Sequence, residues 1–423
     1  MRGPLRAAQH VLSVSWPSYA RAGRPAGTSL TAGEIEANLR HLAWDLTWWG
    51  VLTGTTLNFV QVFVVRLGAP SILVAAVTYG PALVSIFWQI PATRLMRRRG
   101  NLARWAVITG AVVRGGYLAL ALLPFVARGR LAELTVLLLV VQALAMVLAG
   151  TSFLGVMIDA VPAARAAQMM SWRMVGYGVS TTASTLLAGL LLSWLPFPLN
   201  YQALFGIGFV AALASLWHVA RICVPAHRPA VTGIWWQELQ PVFRRANFLR
   251  FVGIAGVVQV ALGMVTPLLP LFAVRRLGAS DGQISLIITT YCACSVLGSL
   301  SARRAARRAR RELMLACCAV GYGLYPLLLS MSRGVLWLIP WAAIGGFFFS
   351  AFSVTSYDTV VAATPDADRT NFMAVYNLEA NAGLFLGPLL AALLAGTAGG
   401  PALGLQVAAS ICVVATLLCA IHR

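Results

Sequence analysis

Long apolar runs separated by short polar segments dominate the chain from residue 43 to residue 421. Each run holds roughly twenty residues, enough for a helix to cross a hydrocarbon core of about 30 Å. We count twelve of them: 43–65, 71–94, 103–126, 131–157, 170–195, 201–222, 248–274, 282–301, 313–331, 334–360, 370–396 and 400–421. Lipid offers no partner to backbone polar groups, and the runs are far longer than barrel strands. The pattern therefore predicts an all-α polytopic membrane protein.

Composition and charge agree with this prediction. Hydrophobic residues make up 59% of the chain and charged residues only 10%, whereas soluble proteins carry about a quarter. The formal net charge of +20 would suit a nucleic-acid partner, but the placement of the basic residues argues against one. All 32 are arginines; 24 fall on one side of the predicted membrane and 6 on the other. Arginine-rich loops stay in the cytoplasm, so we expect a cell-membrane protein with both termini cytoplasmic.

An internal repeat organises the chain. Shifting the sequence by 210 residues places VRLGA (65–69) on RRLGA (275–279) and sets the arginine cluster that begins at 94 against the one that begins at 303. The spacing Thr31-x-x-Glu34 predicts a capping box that starts a helix leading into the first run. The predicted segments are a cytoplasmic tail with a short amphipathic helix (1–42), a six-helix half (43–222), a cytoplasmic linker (223–247) and a second six-helix half (248–423).

The loops RLMRRRGN (94–101) and ARRAARRARRE (302–312) lie between predicted helices two and three and between helices eight and nine. With the repeat, they resemble the major facilitator superfamily, from about residue 40 to the end. That family carries Gly-x-x-x-Asp-Arg-x-Gly-Arg-Arg in these loops; here Gly100 and the basic cluster remain, but Arg97 replaces the acid and Thr93 the first glycine. The resemblance implies a monomeric secondary transporter of a small organic solute, working by alternating access in a lipid bilayer without a cofactor.

The resemblance also implies a latch between the halves on the cytoplasmic side. Such a latch needs acids close to the arginine loops. Arg97 and Arg98 would meet Asp159 at the inner end of helix four, and Arg307 would meet Asp358 at the inner end of helix ten. These five residues are the predicted gate.

Two predicted helices of the first half carry polar stripes. On helix five, Arg173, Tyr177 and Ser180 share one face, and on helix one Asn58 and Gln61 lie near each other. A charge inside a bilayer costs about 2.5 to 3.5 kcal/mol on insertion scales, so Arg173 is a candidate functional residue. We predict these five residues as substrate ligands. Two alternatives stay open: Arg173 snorkelling to water, and simple hydrogen bonds between helices.

The second half has a thinner set of candidates. Gln259 on helix seven and Asn377 and Asn381 on helix eleven are further predicted substrate ligands. Glu379 lies about 13 Å into helix eleven, where desolvation favours its protonated form unless a cation pairs with it. Release of that proton in one conformation would couple transport to protons. The competing interpretation is a permanently protonated or paired Glu379 within a helix contact.

Two other ionisable residues have structural interpretations. Arg114 lies near the middle of helix three and is expected to pair with a neighbouring helix. Asp45 is four residues from His41 and is expected to cap the start of helix one with it. The seven cysteines have no ligand-like partners nearby, so no metal site is predicted.

The sequence leaves several functional alternatives open. A polar or anionic solute suits the stripes, whereas Trp44, Trp48 and Trp49 keep a hydrophobic substrate possible. Import and export are equally compatible with the pattern. No phosphate-binding loop is present, so pumping would use an ion or solute gradient rather than ATP. A polytopic membrane enzyme, a lipid-handling protein and a sensor that does not translocate are the alternatives to a transporter.

Overall fold

The computed structural model describes residues 30–97, 101–127, 129–224, 240, 242–305, 310–364 and 369–421. These residues form helices joined by short turns, and none of them belongs to a β-strand. Twelve of the helices are long and apolar enough to cross a membrane. The prediction of an all-α protein with twelve spans is confirmed.

The helices follow the repeat seen in the sequence. The first six are α1 (Ala32–Arg66), α2 (Ser71–Arg97), α3 (Leu102–Val126), α4 (Leu131–Ala160), α5 (Ala166–Trp194) and α6 (Leu199–Val219). The other six are α7 (Ala246–Pro270), α8 (Asp281–Ala305), α9 (Arg311–Met331), α10 (Leu338–Ala363), α11 (Arg369–Ala395) and α12 (Gly400–Ile421). Successive helices alternate in direction. We call the side where α1 begins the termini side, and the side where α1 ends the far side.

The start of α1 is fixed by local chemistry. Thr31 and Glu34 form the predicted capping box: the Glu34 amide donates to the Thr31 hydroxyl at 3.3 Å, and the Thr31 amide donates to the Glu34 carboxylate at 2.9 Å. Each side chain accepts a hydrogen bond from the backbone amide of the other residue, and these bonds fix the start of the helix at residue 32. The first span therefore starts eleven residues before the apolar run that predicted it.

A π-helical turn at Thr53–Leu57 interrupts α1 close to its middle. Thr53 and Thr55 donate their hydroxyls to the carbonyls of Trp49 and Val51 one turn earlier, a contact that loosens helical geometry. Gly54 lies inside this turn, where a Cβ would collide with the backbone and side chains of α5. The turn and its glycine thus bring α1 against α5, immediately before Asn58.

The two halves pack their helices in the same order. In the first half, α1 contacts α5 and α6, α3 contacts α4 and α6, and α2 contacts α4. Adding six to each number gives the second half: α7 contacts α11 and α12, α9 contacts α10 and α12, and α8 contacts α10. This is the packing expected of parallel structural repeats.

Two pairs of helices carry the main contact between the halves: α2 packs against α11, and α5 packs against α8. Under the same numbering these two pairs are equivalent. At the second seam, Ser285 of α8 donates its hydroxyl to the Thr185 carbonyl of α5 at 2.6 Å, and a Cβ at Gly189 would collide with Ser285. At this seam the halves are therefore joined through a close helix contact that lies toward the far side.

Candidate functional site

The predicted ligand Asn58 lies where three helices meet. Its Nδ2 donates to the Thr185 hydroxyl of α5 at 3.1 Å, and the Thr185 carbonyl accepts from Ser285 of α8 at 2.6 Å. Asn58 is about 12 Å from the far end of α1, close to the middle of a bilayer core. Asn58 therefore lies deep in the membrane at a seam between the halves, and its predicted role as a substrate ligand stays a prediction.

Gln61, one turn further along α1, faces a different neighbour. Its Nε2 donates to the Val74 carbonyl at 3.1 Å and approaches the Thr78 hydroxyl at 3.4 Å, both on α2. Its side chain is buried. In this conformation Gln61 ties α1 to α2 within the first half, and its predicted role as a substrate ligand stays a prediction.

Arg173 of α5 is buried inside the first half, so the snorkelling interpretation does not hold in this structure. Its Nη1 donates to the Leu42 carbonyl of α1 at 2.8 Å and lies 3.4 Å from the Asp45 carboxylate. Both side chains of this ion pair are more than nine-tenths buried. Asp45 is therefore an internal counter-ion for Arg173 rather than a cap at the start of α1, and sequence reasoning missed this role.

The ion pair continues into a network that spans four helices. Ser215 of α6 donates to the other carboxylate oxygen of Asp45 at 2.7 Å, and Arg114 of α3 donates to the Ser215 hydroxyl at 2.8 Å. Arg114 also donates to the carbonyls of Ala212 and Gly110, both at 3.2 Å. The prediction that Arg114 pairs with a neighbouring helix is confirmed. Buried charges in this half are thus hydrogen-bonded to protein groups, as they must be in a low-dielectric interior.

Tyr177 and Ser180 lie further along the same α5 face. Both are half-buried. Ser180 donates its hydroxyl to the Tyr177 carbonyl at 3.2 Å, and a Cβ at Gly50 of α1 would collide with Ser180. The polar stripe of α5 therefore lies along the close contact between α1 and α5. Apart from Arg173, its side chains are uncharged.

The candidates of the second half lie on α7 and α11, which pack closely together. Gln259 of α7 is half-buried, and a Cβ at Gly383 of α11 would collide with it. Asn381 donates its Nδ2 to the carbonyl of Asn377 one turn earlier at 2.8 Å, and Asn377 is exposed. The two asparagines share one face of α11, as their spacing predicts.

Glu379 has surroundings unlike those of the first-half charges. Neither oxygen of its carboxyl group is solvent-accessible or has a hydrogen-bond partner within the described part of the chain. Its Cγ lies opposite Gly256 of α7, where an added Cβ would come within 3.2 Å. The glycine makes room for the carboxyl group at the α7–α11 contact, so Glu379 points into a helix interface.

The predicted gate is only partly visible. Asp159 lies in the last turn of α4 and is half-buried, and Asp358 lies near the end of α10 and is exposed. Arg97 is the last residue of α2, but its side chain is outside the described set, as are Arg98 and Arg307 altogether. The cytoplasmic latch therefore stays a prediction.

The comparisons with known proteins concern the family and the fold. The family model described as Major Facilitator Superfamily matches residues 251–423. Among curated protein sequences, none matches.

Solved structures match over nearly the whole chain. A mutant of the nucleoside transporter NupG superposes with a TM-score of 0.73 at 12% identity, covering 92% of this chain and 99% of that one. A bacterial homologue of the human lysosomal transporter Spinster, crystallised inward-facing and unoccupied, gives a TM-score of 0.69 at 12% identity, with 93% and 96% covered. At these identities the likeness concerns the fold.

Proposed function

We propose that the chain is a member of the major facilitator superfamily and that it transports a small, neutral, hydrogen-bonding organic solute by alternating access. The observation that carries the proposal is the pairing of two similarly packed six-helix halves along α2–α11 and α5–α8. Halves joined at such seams can rock against each other and expose a site between them to either side. Asn58 of α1 is bonded to Thr185 of α5, which also accepts from Ser285 of α8, so Asn58 lies beside one of those seams.

The preference for a neutral solute rests on the buried arginines. The Arg173 guanidinium already faces Asp45 and Leu42, and Arg114 is bound to Ser215 and two carbonyls. An anionic substrate would have to displace the Asp45 carboxylate, which would then be buried without a cation. The other predicted ligands offer amides and hydroxyls, which suit neutral groups such as hydroxyls, amides and ring nitrogens.

We further propose that the termini side faces the cytoplasm of the cell. Twenty-four arginines are assigned to that side and 6 to the far side. Because arginine-rich segments resist translocation, the asymmetry favours this orientation. Because contacts between the halves close the far side, the present conformation is then the inward-facing one.

Flux through proteoliposomes tests the proposal. The purified chain is reconstituted, and uptake and efflux are measured for labelled nucleosides, sugars, amino acids and amphipathic cations, with and without a pH gradient. Nucleosides head the panel because a structural relative is described as a nucleoside transporter. Saturable flux of a neutral solute, absent from protein-free vesicles, is expected. Binding without flux would indicate a sensor, and chemical conversion of the solute an enzyme; either result would overturn the proposal.

Replacement of Asn58 assigns the site. Asn58→Ala removes one amide from the α1–α5–α8 junction, and a lost hydrogen bond to substrate should raise KM roughly three- to tenfold. Gln142→Ala is the matched control, since the Gln142 amide is bonded to the Val113 carbonyl inside the first half, between α4 and α3. Equal KM values for Asn58→Ala and the unmodified transporter would remove Asn58 from the substrate site.

A further inference from the structure

The sequence repeat Arg-Leu-Gly-Ala ends both α1 and the helical segment after α7, and its glycine has a positive φ in both copies. Gly68 has φ +76° and Gly278 has φ +67°, values that favour glycine. At the first copy, the amides of Gly68 and Ala69 donate back to Val65 and Val64, which is a Schellman motif. The second copy follows a π-helical segment, Leu271–Arg276, and the Ala279 amide donates to Ala273.

The carbonyl at the end of each turn accepts an arginine from the opposite half. The guanidinium of Arg66 donates to the Ala279 carbonyl, and the guanidinium of Arg275 donates to the Ala69 carbonyl. The acceptors occupy equivalent positions in the two repeats. The donors are offset by one residue, because Arg66 aligns with Arg276 and not with Arg275.

An ion pair adds to the contact made by Arg66. The Asp281 carboxylate, in the first turn of α8, accepts from Arg66 through Nε at 3.0 Å and lies 2.9 Å from its Nη2. The hydroxyl of Tyr201 at the start of α6 donates to the same carboxylate oxygen at 2.9 Å. The Arg66 and Asp281 side chains are 26% and 15% exposed, so water screens them less than a surface pair.

Apolar packing surrounds these polar contacts. A buried cluster on the far side contains residues of both halves: Val64, Val65, Ala69, Val74, Ala132 and Leu271. Separation of the halves would expose this cluster to water at the same time as it breaks the arginine contacts. The far side is therefore closed by a small group of interactions that act together.

We propose that Arg66, Arg275, Asp281 and Tyr201 form a reciprocal clasp, the far-side clasp, that holds the transporter closed on the far side and opens when that side opens. This inference rests on the proposed alternating-access function. Each donor and acceptor of the clasp can exchange its partner for water, so the net contribution of each contact is modest and the closure is reversible. The clasp sets how often the empty transporter opens to the far side.

The spacing between the halves tests the clasp without any substrate. Spin labels are attached to cysteines at Arg130 and Arg333, two exposed far-side positions in opposite halves, in a background without the seven native cysteines. Arg66→Gln and Asp281→Asn should each raise the ratio of long-distance to short-distance populations about tenfold, the size expected for a charge-assisted hydrogen bond. Tyr201→Phe, which removes one hydroxyl, should shift the ratio in the same direction by less.

Arg276→Gln is the matched control. Arg276 carries the same charge one residue from Arg275, but its described contact is with the Phe272 ring of its own helix. The replacement of Arg276 should leave the distances between the spin labels unchanged. The double variant Arg66→Gln with Asp281→Asn should raise the ratio of long-distance to short-distance populations little more than either single variant does, because the two residues share one interaction. Unchanged distances in both single variants, or an equal shift in Arg276→Gln, would overturn the clasp. A protein that shows both distance populations but no flux would overturn the transport proposal and keep the clasp.

Discussion

Charge is buried in both halves of the protein, but in opposite ways. In the first half, Asp45, Arg114 and Arg173 hold one another through Ser215 and backbone carbonyls of α1, α3 and α6. In the second half, Glu379 lies at the α7–α11 contact with both carboxyl oxygens buried and without a hydrogen-bond partner among the described residues. A buried network whose charges are all hydrogen-bonded resists conformational change. The ionised form of an unpaired buried acid, by contrast, is stabilised by any conformation that brings it water or a cation. We therefore propose that the first cluster has a structural role and that Glu379 of the second half exchanges a proton.

The largest expected effect comes from breaking the first-half network. Asp45→Asn leaves two buried guanidinium groups without their carboxylate, and removal of one partner from a buried ion pair costs about 3 to 5 kcal/mol. The variant should lose several degrees or more of thermal stability in detergent, measured by the temperature at which the monodisperse peak disappears.

A surface pair supplies the control for this prediction. Arg40 pairs with Glu36 at 3.8 Å and its side chain is 71% exposed. Arg40→Gln should change stability little, because exposed pairs contribute about 0 to 1 kcal/mol. If Asp45→Asn melts at the same temperature as Arg40→Gln, the network is not structural and the comparison between the halves fails.

A smaller effect is expected from the contact that surrounds Glu379. A Cβ at Gly387 of α11 would collide with the α7 backbone at Val260, Gly263 and Met264. Gly387→Ala should therefore destabilise the protein by about 1 to 3 kcal/mol, as overpacking does. Gly253→Ala on α7 is the control, since a Cβ there meets nothing within 4 Å. Equal melting temperatures of the two variants would show that α7 and α11 are not in tight contact.

The smallest effect on stability is expected at Glu379 itself. Glu379→Gln keeps the shape of a protonated carboxyl group and breaks no hydrogen bond among the described residues. The free energy of unfolding should change by less than about 1 kcal/mol. A loss of stability as large as that of Asp45→Asn would show that Glu379 is ionised and paired. Buried charge would then be paired in both halves. Thermal unfolding of both variants in the same detergent decides between these outcomes.

The sequence predicts the architecture well because membrane helices are specified locally. Each span is a continuous apolar run, and the capping box at Thr31 and Glu34 locates the start of α1 from two residues. The repeat of Arg-Leu-Gly-Ala indicates two related halves from the sequence alone. These signals need no knowledge of which helices touch.

The candidate site was harder to predict because its contacts join distant parts of the chain. Asp45 was expected to cap α1 with His41, yet its partners Arg173 and Ser215 are 128 and 170 residues away. The depth of an ionisable residue in an apolar run indicates that it needs a partner, but it does not say which one. Similarly, the repeat at 65–69 and 275–279 was visible, while the exchange of arginines between its two copies depends on packing across the halves.

Transport by the Glu379→Gln variant tests most directly whether the lone acid of the second half couples transport to protons. Once a substrate is identified, pH-driven accumulation and substrate exchange are measured in the same proteoliposomes, with Glu133→Gln, an exposed acid in the first turn of α4, as the matched control. Glu379→Gln is expected to lose accumulation but retain exchange, because a side chain that mimics the protonated form cannot release a proton. The control should keep both activities. Retention of pH-driven accumulation by Glu379→Gln would contradict the assignment.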